Sequence, residues 1–375
     1  MNPSVRITEE ALAELRERVG SEIEIATRGH ITEITVDAIR HWAYGVGDRN
    51  PLWLDEDGKS ENGESRVAPP TIILAFSKLA TGYAGGLPGV HALYTGSDYT
   101  WMRPLRLGDR LRAHVVLDGV IEREGQYAGR SFNQVARITL SDQTEAVVAE
   151  GTSSCLRTER DAAKDRGKNR SIQPYSYSEE ELDEIWQMVD TEERTGSNLI
   201  DVSKLEQGQE IPTVVKGPLT ITDNMMFALA WGGSFMRSHG FARDYYLKHP
   251  GAFSDNEHGF PDFVERVHWD TGFAKQVGVE APYDYGGQRY AWMGHLVTNW
   301  MGDYGMLKRL NVQFRRFNII GDTTWCRGKI EKIYRDNDAD YVDLEIWAHD
   351  QRDEVTTKGS ATVCFPSTNS RHQKI

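Results

Sequence analysis

Two stretches of the 375-residue chain hold side chains suited to moving protons. In YGVGDRNPLWLDEDG, residues 44–58, Asp48 follows Gly47 and precedes Asn50 and Pro51; in RVHWDTGF, residues 266–273, His268 stands two residues before Asp270. General acid–base catalysis needs a titratable group within hydrogen-bond reach of the proton it moves, and imidazoles and carboxylates are the usual carriers. Each residue also has a purely structural reading. Asp48 can cap its own turn while Asn50 holds the loop, and a histidine beside Trp269 can be a hydrogen-bonded framework residue. Asp255, Glu257, His258, Asp262 and Glu265 all fall shortly before His268. Tyr283, Asp284, Tyr285, Gly286, Gly287 and Arg289 make a loop fit either to line a ligand mouth or simply to turn the chain. Arg316, with Arg315, Lys308 and Arg309 nearby, offers charge for phosphates or forms a solvated strand face.

The elements that must position these groups occur twice. DAIRHWAYGVG (37–47) faces DNMMFALAWGG (223–233), each opening on an aspartate placed as an N-cap or first-turn acid, and the next residue is Asp48 in one copy and Ser234 in the other. LWLDEDG (52–58) faces VHWDTGF (267–273), which aligns Trp53 with His268 and Asp55 with Asp270. Between these blocks the second copy carries a long insertion. VAPP (67–70) faces EAPY (280–283), and each introduces an apolar-faced helix, expected near 71–82 and 291–302. WMRPLRLGDRL (101–111) faces FRRFNIIGDTT (314–324), read as strands ending in Gly-Asp turns, and DQTEAVVAEGT (142–152) faces DQRDEVTTKGS (350–360). Val342, Leu344 and Ile346 alternate with Asp343 and Glu345, the period of a strand with one wet face.

Matching blocks in matching order mark a repeated fold unit. Each unit reads as α+β, a helix packed on a curved antiparallel sheet, and tandem copies supply each other's partner edge. The segment 158–169 is dense in charge and poor in apolar residues, as an exposed connection would be. The expected division is a first copy at 1–165, a linker at 166–206 with the helix EEELDEIWQMVD, and a second copy at 207–375.

Composition narrows the function. Hydrophobic residues make up 39% and charged residues 26%, with no unbroken apolar run of membrane-spanning length. The first twenty residues lack the apolar core of a signal peptide and read as a helix with Leu12 and Leu15 on one face, so a cytoplasmic location is expected. Cys155, Cys326 and Cys364 are too scattered for a disulfide framework or a zinc site. A formal net charge of −13 disfavours nucleic acid, yet a few local cations suffice for an anionic thioester. No GxGxxG after a strand, P-loop or HExxH occurs, so neither a metal nor a nucleotide cofactor is indicated.

Residues 44–58 resemble the hydratase motif of the MaoC-like and FAS1-like dehydratases, a Gly-Asp-x-Asn-Pro-Leu-His string followed by an acid; VAPP and WMRPLRLGD are similar to the N-terminal dehydratase domain of that family. The resemblance implies a double hotdog, two units each with a long central helix wrapped by a curved antiparallel sheet. It implies reversible addition of water to a 2-enoyl thioester, or its elimination from a 3-hydroxyacyl thioester, with coenzyme A only as part of the substrate. In the family the motif's Asp and His hold the water between them, and amides at the start of the central helix polarise the thioester carbonyl.

Both copies depart from that pattern. The first keeps Asp48 and Asn50 but has Trp53 at the His position, whereas the second keeps His268 and has Ser234 where Asp is expected. Three arrangements follow: neither copy is catalytic; Asp255, Asp262 or Glu265 partners His268; or Asp48 and His268 cooperate across the pseudo-twofold, which a twofold that keeps equivalent sites apart disfavours. Gly294 is expected to offer the polarising amide, with His295, which can also merely pack, and Asn50, Tyr283, Tyr285, Arg289 and Arg316 on the substrate side. The favoured working half is the second, since a tryptophan ring at position 53 fills the first. The other readings are a non-catalytic thioester-binding subunit of a heteromeric hydratase and a hotdog thioesterase. A homodimer or larger homo-oligomer, with or without a partner subunit, is the expected assembly.

Overall fold

Period-two stretches in both halves become strands that close into one sheet. The computed structural model describes residues 6–23, 31–54, 66–81, 83, 85–125, 129–159, 172–232 and 236–366. Strands β1 (His91–Trp101), β2 (Arg112–Gly125), β3 (Gly129–Ser141) and β4 (Val147–Thr158) come from the first half. The second half gives β5 (Glu210–Lys216), a small hairpin of β6 (Phe253–Asp255) and β7 (Pro261–Phe263), then β8 (Met306–Phe314), β9 (Thr324–Asp336), β10 (Ala339–Asp350) and β11 (Val355–Pro366). The large sheet runs β2-β3-β4-β1-β8-β11-β10-β9-β5. Its seam is the antiparallel pair β1–β8, in register from Gly96 opposite Gln313 to Thr100 opposite Arg309. An edge strand left open by each half is thereby closed by the other. Val342, Leu344 and Ile346 are buried, as the alternation predicts.

The helices are α1 (Glu9–Glu17), α2 (Val36–Val46), α3 (Pro51–Leu54), α4 (Glu179–Asp190), α5 (Ile221–Ala230), α6 (His239–Lys248), α7 (Thr271–Gln276) and α8 (Gly286–Met301). Thr35 caps α2 and Thr220 caps α5, each hydroxyl accepting a first-turn amide, so Asp37 and Asp223 are first-turn acids and not N-caps. Asp223 closes a capping box by accepting from the Thr220 amide. Ser178 and Glu181 build the same motif at the start of α4 in the expected linker.

The repeat is visible in side-chain detail. Gly108 and Gly321 adopt positive φ, and the following aspartates turn back on the chain: Asp109 accepts from the Arg106 amide at 2.8 Å and Asp322 from the Ile319 amide at 2.9 Å. The blocks at 101–111 and 314–324 are therefore mostly connections. Only their first residue, and Thr324 at the end of the second, belongs to a strand, because carboxylate capture and Pro104 take the backbone amides a ladder would use.

The halves differ most at their centres. In the second half α8 is buried at every residue but Gly286 and lies against β1, β5, β8 and β9, the central helix of a hotdog. Its first-half counterpart is two short 3-10 turns, Pro70–Ala75 and Lys78–Thr81, in place of the helix expected at 71–82. Pro69 and Pro70 withhold amide donors, and Thr71, Ile72 and Ile73 are β-branched, so the segment favours a tight turn. One apolar core runs through both halves, joining Trp42, Ile72 and Phe132 to Tyr290, Leu310 and Val363. A smaller cluster of Val267, Phe273, Val277, Ala281, Tyr283 and Ile319 seats the loop that carries His268. Asp55, Ser234 and the charged stretch 160–169 lie outside the described residues. No described helix is long and apolar enough to cross a membrane.

Candidate functional site

His268 ends a 3-10 turn, Val264–His268, which the neighbouring guanidinium fixes in place. Buried Arg266 donates to the carbonyls of Ser254, Asp255 and Asp262, each at 3.0 Å, and lies 4.0 Å over the Phe273 ring. The insertion hairpin and the turn are thus held by one planar fork. Asp270 caps α7, accepting from the Phe273 amide at 2.9 Å, and so is occupied as a cap.

The imidazole of His268 has a defined protonation pattern. Its Nδ1 lies 2.8 Å from the Tyr283 carbonyl oxygen, which can only accept, so the proton sits on Nδ1 and the lone pair on Nε2. Burial pushes its pKa down to about 4, and the Tyr283 carbonyl alone opposes that. His268 is therefore neutral near pH 7. Its ring stacks on Tyr285, centroids 3.8 Å apart, and Tyr285 is the residue immediately before α8. The first amides of a helix have no partner inside it, so the Gly286 and Gly287 N–H groups that follow Tyr285 in the chain form an anion-stabilising end. Gly286 stays partly exposed.

The three insertion acids stand in different surroundings. Asp255 is exposed at the end of β6, and Asp262 accepts from the next amide, Phe263, at 2.7 Å. Glu265 instead lies within electrostatic reach of the Tyr285 and Tyr245 hydroxyls, adding to the burial that raises both pKa values. Tyr285 is buried with a hydroxyl that has no hydrogen-bond partner among the described residues.

Other expected contacts fall elsewhere. Gly294 is in the middle of α8, where its amide belongs to the helix ladder and not to a helix start; a Cβ there would stand 2.4 Å from the Thr71 methyl, so this glycine permits close packing. Arg289 is buried against Asp284 in a two-point pair, Nε to Oδ2 at 2.7 Å, and also donates to the Arg316 carbonyl. Its charge is spent inside the fold. Arg316 pairs with Glu354 at 3.0 Å, and Arg309 with Asp98 at 2.8 Å. Tyr283 contributes its carbonyl, which also accepts from Asn224, while its ring is buried.

Asp48 and His295 meet each other. His295 Nε2 lies 3.2 Å from Asp48 Oδ1 and 3.3 Å from Glu192 Oε1, with no exposed imidazole surface. The distances are those of ion pairs, although neither ring nitrogen completes a hydrogen bond of normal geometry. Asp48 also accepts from Trp53 Nε1 at 2.8 Å and from the Asn50 amide at 3.0 Å, and Asn50 in turn caps the Leu52 amide. Lys216, buried, donates to the Gly47 carbonyl at 2.8 Å, and Asn299 donates to Glu192 at 3.1 Å. His295, Lys216 and Asn299 hold the Glu192 carboxyl down to about 2 against its burial. Around buried Trp53 and Asp48 the fold thus gathers His295, Glu192, Lys216 and Asn299, drawn from both halves and the linker. Glu192 and Lys216 have no motif around them, and nothing in the sequence points to either.

Comparison with known proteins fits this geometry. Residues 19–151 match the FAS1-like dehydratase domain region. This part of the chain is similar to the FAS1-like dehydratase domain. Within the matched region lie Asp48, Asn50 and Trp53, all buried. A UPF0336 protein of Streptomyces avermitilis is 30% identical over 94 residues, covering 24% of this chain and 63% of that protein. A probable enoyl-CoA hydratase alpha subunit of Thermomonospora curvata is 28% identical over 136 residues, covering 31% and 42%. The chain thus spans less than two thirds of the length of these curated relatives. A solved MaoC-like dehydratase superposes with a TM-score of 0.63 at 15% identity over 94% of this chain and all of its own. A Mycobacterium tuberculosis protein with a double hotdog fold gives 0.52 at 11% identity, covering 90% and 96%. The chain as a whole is a double hotdog.

Proposed function

We propose that this dehydratase-family protein reversibly hydrates a 2-enoyl thioester, or dehydrates the 3-hydroxyacyl form, at the start of α8. The observation that carries this is the neutral His268 imidazole, Nδ1 tied to the Tyr283 carbonyl and stacked on the residue before the Gly286-Gly287 helix start. In hydration, Nε2 takes a proton from water as its oxygen bonds to Cβ. The alkene pair moves to the thioester oxygen, where the helix-end amides stabilise the enolate. The proton on Nε2 then passes to Cα, so one base serves both steps and needs no carboxylate beside it. In the first copy the corresponding turn starts at Pro70, which has no N–H to offer at its first position. Coenzyme A, as the substrate's carrier, is the only non-protein group this reaction calls for.

The test is turnover of crotonyl-CoA by the purified chain. His268→Ala should lower it by roughly 10²–10⁴ while the circular dichroism spectrum is retained. Full activity in that variant overturns the assignment. Release of free thiol would identify a thioesterase, for which the same base and amides would serve. Turnover only after a second polypeptide is added would favour a subunit of a heteromeric hydratase, the reading that the name of the Thermomonospora relative supports.

A further inference from the structure

We propose that Tyr94, supplied by the first copy, selects the acyl group of the second copy's site, and that the preferred substrates carry a flat ring next to the enoyl bond. The inference rests on reading the start of α8 as the thioester site. Tyr94 lies on β1, next to the seam, and meets Phe314 of β8 edge to face with centroids 5.1 Å apart. Both rings press on Gly286: a Cβ there would lie 2.6 Å from Tyr94 Cδ1 and 3.1 Å from Phe314 Cε2. Any other residue at 286 would have to push the pair away. Tyr94, Phe314 and Gly286 each remain partly exposed, and the two rings lie against the residue where the helix-end amides begin.

The Tyr94 ring is also anchored. Its hydroxyl lies 2.5 Å from Ser97 Oγ, and the chain of hydroxyls continues through Ser153 to Tyr99 and the Ala80 carbonyl. Burial raises the pKa of the phenol, so the wall it presents is uncharged. An anchored aromatic face beside a second ring at a right angle favours an acyl group that adds a further edge-to-face or offset contact, since aromatic pairs gain beyond the area they bury. A short aliphatic acyl group has no ring with which to make that contact. The first copy thereby takes a role in the reaction through one strand residue.

The experiment compares cinnamoyl-CoA with crotonyl-CoA for the full chain and for Tyr94→Phe, Tyr94→Ala and Phe314→Leu. The expected result is a ratio of kcat/KM values favouring cinnamoyl-CoA that falls about tenfold in Tyr94→Ala, chiefly through KM, and stays within about twofold in Tyr94→Phe. Phe314→Leu should lower the ratio in the same direction, which keeps the test intact if Tyr94→Ala fails to fold. A wild-type preference for crotonyl-CoA, or equal losses on both substrates, would overturn the proposal and leave Tyr94 a packing residue. Calorimetric binding of 3-phenylpropanoyl-CoA against butyryl-CoA separates the two hypotheses. If the chain hydrates neither enoyl thioester, the hydratase reading fails; a binding preference that disappears in Tyr94→Ala still supports the wall, and no preference sinks it.

Discussion

Changing Glu192 to Gln keeps the side chain's shape and removes one negative charge from the buried set formed with Asp48, His295 and Lys216. The structure gives the size of the effect. Burial alone would raise the Glu192 pKa, yet the close approach of His295, with Lys216 and Asn299, brings it from 4.5 down to about 2. That displacement corresponds to about 3 kcal/mol of folding free energy at neutral pH. Removing one partner from a buried ion pair costs roughly 3–5 kcal/mol, so two independent arguments agree. The loss has a second source, because Lys216 is already pushed down by burial and depends on Glu192 and Asp48 to stay charged. The assay is urea unfolding of wild type and Glu192→Gln at a series of pH values. Above pH 4.5 the wild-type advantage should be complete; it should shrink as pH falls toward 2, since the folded-state pKa is the depressed one. A difference below about 1 kcal/mol at pH 7, or one that does not change on acidification, would refute the view that charge holds this linker segment to the two halves.

Acidification should also report on His268. Because its pKa is held at about 4, kcat/KM should stay level from neutral pH down and drop roughly tenfold per pH step only below about 4, where the base is protonated; a fall centred near the ordinary histidine value would contradict the enclosed ring. Gly294→Ala places a methyl 2.4 Å from Thr71 Cγ2 and should lower stability by about 1–3 kcal/mol, seen as a reduced Tm, although alanine is the better helix former; an unchanged or raised Tm would show that the two copies are less closely packed at that point.

Much of the fold is legible in the sequence because it repeats. Two sets of matching blocks require two similar units, and the paired Gly-Asp turns at 108–109 and 321–322 are local chemistry that a sequence can display. The loss of His at Trp53, the presence of His268 and the Tyr-Gly-Gly approach to the second central helix are equally local, and each survives in the structure with a defined neighbour. Partnerships between residues far apart in the chain are a different matter. Nothing in the spacing of Asp48, Glu192, Lys216 and His295 says that they converge, since the convergence depends on how the linker crosses α8 and how α2 lies beside it. Gly294 looks like a helix-start donor only until the helix is seen to begin eight residues earlier, at Gly286. Of the insertion acids near His268 in sequence, Asp255 and Asp262 give their backbone carbonyls to Arg266, a partnership that their position in the chain does not announce. A sequence records which groups are available and the turns they make with their immediate neighbours. Which acid meets which base was decided by packing, where desolvation and a few ångströms of side-chain reach outweigh proximity along the chain.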